Sequence, residues 1–387
     1  MKLVPVSKTN ERLFLDVALA IYQNNPNWIR PLDKDILDVF DPAKNKAFRF
    51  GSAQRWVLHN EHHQPIGRIA AFVNERYKSK GDRCKVGGIG FFECINDQSA
   101  ANLLFGTAKQ WLSEQGVGAI DAPINFGERD KWWGLLVEGF QEPTYGMNYH
   151  LPYYQSLFDS YGFLPFFEQY CFGLRPKEPL SPKIWERHAL ISKDPAFSAR
   201  HAQKNQLDAY ATDFTTIYNK AWAGHGGLKS ISNEQTKRMF QQMKPVMDER
   251  LLWFVYHHNE PIAFFINLPD LNQWFKYLNG RFGLLDKLRF LWIKKNKPNK
   301  KFVGLVFGVV PAFQGTGVDA YLIGESAKMI QSDALPYTEF ELQWIGDFNP
   351  KMISIAKNLG DSFISRKLIT YRLMLNSEIP FERHPIL

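Results

Sequence analysis

Two stretches of the chain repeat one pattern of apolar and polar positions. In the first, Trp56-Val57-Leu58 leads through a polar turn to Pro65-Ile66 and ends at Asn74. In the second, Trp253-Phe254-Val255 leads through a polar turn to Pro261-Ile262 and ends at Asn267. Apolar runs bounded by turn residues predict a β-hairpin over 54–74 and another over 252–267. A third strand follows each, over 86–92 and over 302–310. A helix comes next, with Leu103, Leu104, Ala108, Trp111 and Leu112 on one face in the first half and Leu322, Ile323, Ala327 and Ile330 in the second. A further strand (118–124, 338–345), a helix ending near Gly162 or Gly360, and a last strand complete each half.

Each half therefore reads hairpin, strand, helix, strand, helix, strand. That order predicts an α/β (α+β) fold of two domains, each a twisted mixed sheet flanked by helices. The repeat is too long for a stacked solenoid unit. The proline-rich run around Pro176, Pro179 and Pro182 marks the joint. The expected division is 1–175, a linker over 176–189, and 190–387. Two stretches lack a counterpart in the other half: the aromatic, glycine-rich connection over 125–154, and an insert from about Trp274 to Lys301.

The length of 387 residues fits two cores better than one. Hydrophobic content of 45% and charged content of 22% describe a folded chain and exclude a disordered one. The net charge of +8 suits an anionic partner. No basic recognition helix, zinc-ligand spacing or RNA-binding aromatic motif accompanies it, so nucleic acid is not expected. Cys84, Cys94 and Cys171 are widely spaced and odd in number, which argues against a disulfide framework or a structural zinc. His62-His63 and His257-His258 fall in hairpin turns without a completing carboxylate or thiolate, so no metal is expected. The start has no apolar core of a secretory signal, and no run of 18 apolar residues occurs. The expectation is a cytoplasmic protein.

One segment combines residue types with a specific chemistry. Val309-Val310-Pro311 ends a strand, Gln314-Gly315-Thr316-Gly317 forms a loop, and Val318 opens an apolar helix. Glycines let backbone amides approach a ligand closely, and a helix N-terminus favours an anion there. Thr316 offers a hydroxyl, and strand-edge amides at Val309 and Val310 could pair with an extended amide-bearing ligand. A plain glycine-rich turn is the alternative. In the first half the matching stretch, 96–102, has lost its glycines, and Asp97 and Ser99 there read as helix caps.

With this loop in the duplicated frame, the chain resembles the GNAT acyltransferases in two tandem copies. The family's CoA loop carries Gln or Arg, two residues, Gly, one residue, then Gly or Ala. Gln314 and Gly317 match it, whereas Asp319 departs from it and places a negative charge near the pyrophosphate site. The resemblance implies an acyl-CoA-dependent N-acyltransferase, an acetyltransferase being the expected form, with acetyl-CoA or another acyl-CoA as cofactor, held by Val309, Val310, Gln314, Gly315, Thr316, Gly317 and Val318. It also implies transfer to a small-molecule or peptide amine, and a degenerate first copy. Asn349 would touch the pantetheine, cap the next helix, or both. The family's usual tyrosine acid falls on Ala356 here, and on Phe158 in the first half.

Replacement catalysts are Glu341 as base, if its strand face lines the cleft, and Tyr371 as donor to sulfur. A salt-bridged Glu341 and a core Tyr371 are the alternatives. Trp222 and His225 follow an early helix that in the family borders the acceptor, so they are candidate substrate contacts. Trp132, Trp133 and the aromatics of 145–154 could line the acceptor pocket or pack between domains. In the insert, 281–301 interleaves leucines, Phe290 and Trp292 with lysines and arginines. Contact with an anionic membrane surface is one reading, and a helix on the sheet with a solvated basic face is the expected one. A non-catalytic acyl-CoA or small-ligand binding protein of the same fold is the competing functional class, and an interaction protein that keeps the fold but has lost the cofactor is a third. Oligomeric state cannot be read.

Overall fold

A computed structural model describes residues 1–221 and 230–387. The first half contributes strands β1 (Lys2–Val6), β2 (Gly51–His59), β3 (Pro65–Asn74), β4 (Val86–Cys94), β5 (Ala119–Ala122), β6 (Leu135–Glu138) and β7 (Leu164–Leu174). The second contributes β8 (Phe197–His201), β9 (Leu252–His257), β10 (Glu260–Pro269), β11 (Lys301–Val309), β12 (Glu339–Gly346) and β13 (Phe363–Met374). The helices used below are α1 (Gln98–Glu114), α2 (Tyr154–Tyr161), α3 (Leu284–Asn296), α4 (Val318–Gln331) and α5 (Pro350–Lys357). Both expected hairpins form, β2 with β3 and β9 with β10.

The described strands join in one sheet with the order β1-β2-β3-β4-β5-β13-β7-β12-β11-β10-β9-β8, and β6 pairs with β13 off that path. Only β4–β5 and β11–β12 are parallel pairs among them. The order differs in one respect from two independently closed halves. β7, the last strand of the first half, lies beside β12, and β13, the last strand of the second, lies beside β5. The two meet along a long antiparallel ladder running from Phe363 opposite Gly173 to Arg372 opposite Leu164. Each half thus completes the other's sheet.

Apolar periodicity cannot reveal this exchange. Cys171 and Phe172 of β7 and Leu368, Ile369 and Tyr371 of β13 are all buried, as either pairing would require. Two large cores flank the seam, and smaller clusters, such as Phe348 with Phe166 and Phe167 and Leu368 with Tyr22 and Leu136, bridge it. One gathers Phe214, Phe240, Phe254, Phe264 and Leu322 under the second half. The other gathers Ile89, Phe92, Phe105, Leu112 and Phe158 under the first, and takes in Tyr371 from β13.

Candidate functional site

β11 and β12 pair in parallel from Lys301 opposite Glu339 to Gly304 opposite Leu342, and no further. β11 keeps its ladder with β10 up to Val309 opposite Ala263. β12 bulges against β7 between Leu342 and Ile345. The two strands therefore splay, leaving the β11 edge from Leu305 onward without a strand partner on that side. A cleft of about 800 Å³ opens in the splay, lined by Leu305, Phe307, Gly308, Trp344 and Asn349 among others. Unpaired strand amides along a groove are donors and acceptors for an extended ligand.

The loop expected to hold a phosphate closes one end of this cleft. Gly315 (φ +75°) and Gly317 (φ +98°) both adopt left-handed backbone that side chains disfavour. A Cβ at Gly315 would meet nothing within 4 Å, so glycine is required there by conformation and not by space. Gly317 is the N-cap of α4 and no side chain caps the helix, which leaves its first-turn amides directed at the loop. Gln314 Nε2 donates to the Val309 carbonyl (3.0 Å) and pins the loop to the strand end. Thr316 Oγ1 donates to the Phe313 carbonyl (2.8 Å), so its proton serves the loop and not a ligand. The Val310 amide donates to Ile262 (2.9 Å) across the β10 ladder, whereas Val309 lines the cleft together with Leu305, Val306, Phe307 and Gly308. Val318 is buried in the core and could offer only its amide. Asp319 sits in the first turn of α4 and lines the cleft.

Asn349 performs the capping role and also faces the cleft: its Oδ1 accepts from Met352 N (3.3 Å) at the start of α5. Trp222 and His225 lie outside the described residues.

The structure places the two candidate catalysts away from the splay. Glu341 is buried at 3% exposure, its Oε2 3.0 Å from Lys301 Nζ and its Oε1 3.1 Å from Arg366 Nε. Burial alone would raise its carboxyl, but Arg366 and Lys301 more than offset that and hold it below the usual glutamate range. Arg366 also donates to the carbonyls of Gly139 and Gln141 (both 3.0 Å) and of Glu142. Glu341 is therefore the centre of a buried clamp joining β11, β12, β13 and the first half's connection, and a carboxylate so stabilised is a weak base. Tyr371 is fully buried opposite Ala122, its ring 5.3 Å from Phe158 in the first half's core. The strand exchange carried it there, away from the loop at Gly317.

Two residues not singled out from sequence reach the cleft instead. Arg129 and Asp130, on the first half's aromatic connection, line it from across the seam. The Arg129 guanidinium faces the rings of Trp133, Phe167, Trp344 and Phe348 at 5.5–5.9 Å. Asp130 is itself exposed to solvent; crowding by the surrounding connection and repulsion from Glu128 push its carboxyl upward, and the charge of Lys131 beside it works against that. The signal in the sequence was the asymmetry of this connection, but nothing local said which cleft it would reach. Arg129 also borders a second cavity of about 800 Å³, whose walls include Trp132 and Trp133.

The first half has no equivalent cradle. Asp97 Oδ1 accepts the Ser99 (2.7 Å) and Ala100 (3.3 Å) amides, which occupies the N-terminus of α1 that an anion would need. Its parallel strands also stay linked farther along, through the Ile124 amide to the Ile89 carbonyl (2.8 Å).

Two duplicated halves of one sheet, joined by exchanged last strands and with the parallel pair of the second half splayed, match known proteins. A tandem GNAT protein from the clavulanic acid biosynthesis pathway superposes with a TM-score of 0.53 at 10% identity, over 98% of this chain and 99% of that one. The chain has the tandem GNAT fold. A glucosamine N-acetyltransferase region of a fungal multi-domain β-N-acetylglucosaminidase gives a TM-score of 0.54 at 12% identity, over 96% of this chain and 38% of that much longer one. In sequence, a bacterial ceramide synthase of Caulobacter vibrioides is 25% identical over 380 residues, covering 96% of each chain. No protein-family model matches.

Beneath the splayed cleft lies a small, almost wholly apolar pocket of about 90 Å³, walled by Phe302, Ile330, Phe340, Ala356 and Leu359. Phe265, Phe307, Leu342, Met352 and Ile355 line both spaces, so the pocket continues the cleft between α4 and α5. Ala356, at the family's tyrosine position, forms part of this wall.

Proposed function

We propose that the chain is an acyl-CoA-dependent N-acyltransferase whose donor carries an acyl chain longer than acetyl. The observation that carries this reading is the splayed β11–β12 cleft: glycine loop and open α4 N-terminus at one end, apolar pocket leading off it. The loop would take the pyrophosphate, the open edge of β11 the pantetheine amides, and the apolar pocket of about 90 Å³ the first few carbons of the chain. A ceramide is the amide of a fatty acid with a long-chain amino alcohol, so the relative's name fits a long-chain donor and an amine acceptor. The acceptor would enter past Arg129 from the cavity lined by Trp132 and Trp133. Asp130, an exposed carboxylate on the cleft wall, would take the amine proton in place of Glu341. The cytoplasm, where acyl-CoA is made, is the compartment this reading requires.

Thermal stability with and without CoA, acetyl-CoA and long-chain acyl-CoAs tests it. At about 100 times its dissociation constant a ligand adds nearly 3 kcal/mol. The Gln314→Ala/Gly317→Asp variant is expected to lose that shift. No shift with any CoA would overturn the proposal. A shift without thiol release across a panel of amines favours the alternative of a non-catalytic acyl-CoA binder, to which Asp319 in the loop and Ala356 at the tyrosine position lend support.

A further inference from the structure

The insert between β10 and β11 does not pack as its sequence led us to expect. In α3 only Phe290 and Ile293 turn inward, joining Leu32, Trp274, Phe275 and Leu278 in a small cluster of their own. Leu284 (83% exposed), Leu285 (80%), Leu288 (65%), Leu291 (56%) and Trp292 (59%) all face solvent. These five fall within an arc of about 120° at 100° per residue, with Leu284, Leu288 and Leu291 in line at i, i+4 and i+7. Charge brackets the arc: Lys287 stands on one side of it, Arg289 on the other, and Lys295 at its C-terminal end. Arg281, Lys297 and Lys300 lie just beyond the helix. The one acid in α3, Asp286, accepts the Gly283 amide at the helix start (3.0 Å).

Scattered exposed leucines are ordinary, but a contiguous apolar face on one anchored helix marks a contact surface. We propose that this face of α3 lies in the interface of an anionic lipid bilayer, its leucines and Trp292 at acyl-chain level and its lysines and arginines on headgroup phosphates. Two features favour a membrane. The flanking charge is of one sign and complements an anionic surface, whereas apposing two copies of the face would bring cation against cation. The helix is held from behind by Phe290 and Ile293, so it needs no rearrangement to present its outer face. None of its residues belongs to the cleft, and the inference stands or falls independently of the acyl-transfer reading.

Vesicle co-sedimentation tests it, with phosphatidylcholine alone and with phosphatidylcholine mixed with phosphatidylglycerol. The full chain is expected to sediment with the anionic vesicles, less with the neutral ones, and less as salt rises. Leu288→Gln/Leu291→Gln/Trp292→Gln alters exposed positions and keeps the charge, and is expected to lower partitioning by at least about tenfold. Lys287→Gln/Arg289→Gln/Lys295→Gln keeps the apolar face, and is expected to remove the preference for anionic lipid. Unchanged melting curves of both variants would show that the fold persists. The proposal is overturned if the unaltered chain stays in the supernatant with anionic vesicles, or if the glutamine-for-leucine variant binds as well as the parent. It is equally overturned if sedimentation equilibrium shows a dimer that this variant dissolves, since the face would then be a contact between copies.

Discussion

Replacing Glu341 with glutamine separates a structural clamp from a catalytic base. The side chain keeps its size, and one oxygen can still accept from Arg366. What is lost is the negative charge between Arg366 (fully buried) and Lys301 (9% exposed side chain). Removing one partner of a buried ion pair leaves an uncompensated buried charge and costs about 3–5 kcal/mol. At about 2 cal/mol/K per residue of unfolding entropy, a chain of this length should lose on the order of 5 °C in Tm. The pH dependence has a definite sign. The folded carboxyl lies below its unfolded value of about 4.3, so the stability it contributes is fully present above that pH and fades as pH falls through the folded value. The glutamine variant should therefore show a flatter acid limb in melting temperature against pH. Calorimetric melts from neutral to acid pH, with thiol release measured well below the melting point, make the test. A glutamine variant that melts like the parent yet has lost its turnover would refute the clamp and restore Glu341 as the base.

Asp130→Asn should leave melting temperature and CoA-dependent stabilisation close to the parent while lowering kcat by about 10²-fold or more. The acid limb of the parent's kcat against pH should sit above the ordinary carboxylate range and vanish in the variant; an unchanged profile would remove Asp130 from the mechanism. Ala356→Phe fills the apolar pocket beside Leu359, so it should cut turnover of long-chain donors by about tenfold or more with little effect on acetyl-CoA, a size discrimination typical of apolar pockets. Equal loss on both donors would place the chain elsewhere.

Much of this protein was legible along the chain because periodicity and turn chemistry are local. The duplicated hairpins announced themselves at Pro65 and Pro261, the glycine loop at Gly315 and Gly317, and the capped, occupied helix start at Asp97. Each depends on residues a few positions apart, and each took its expected form. Which reading of Tyr371 and of Glu341 holds, catalyst or core tyrosine and salt-bridged carboxylate, and which way α3 faces, did not follow from such signals. An alternating strand fits either neighbour, so nothing in β13 says that it leaves its own half and carries Tyr371 into the other's core. A carboxylate on a strand becomes a clamp only once Arg366 and the 139–142 carbonyls arrive from distant segments. A leucine-rich helix with lysines reads as a packed element until the tertiary structure shows which arc has no neighbour. The sequence by itself determined two GNAT-like halves and one glycine loop ahead of an uncapped helix, because those rest on short-range backbone and helix-terminus physics. Only the folded chain decided that the halves share their last strands, that Arg129 and Asp130 of one half wall the cleft of the other, and that α3 turns its leucines outward. Those outcomes are set by which surfaces exclude water against each other across hundreds of residues.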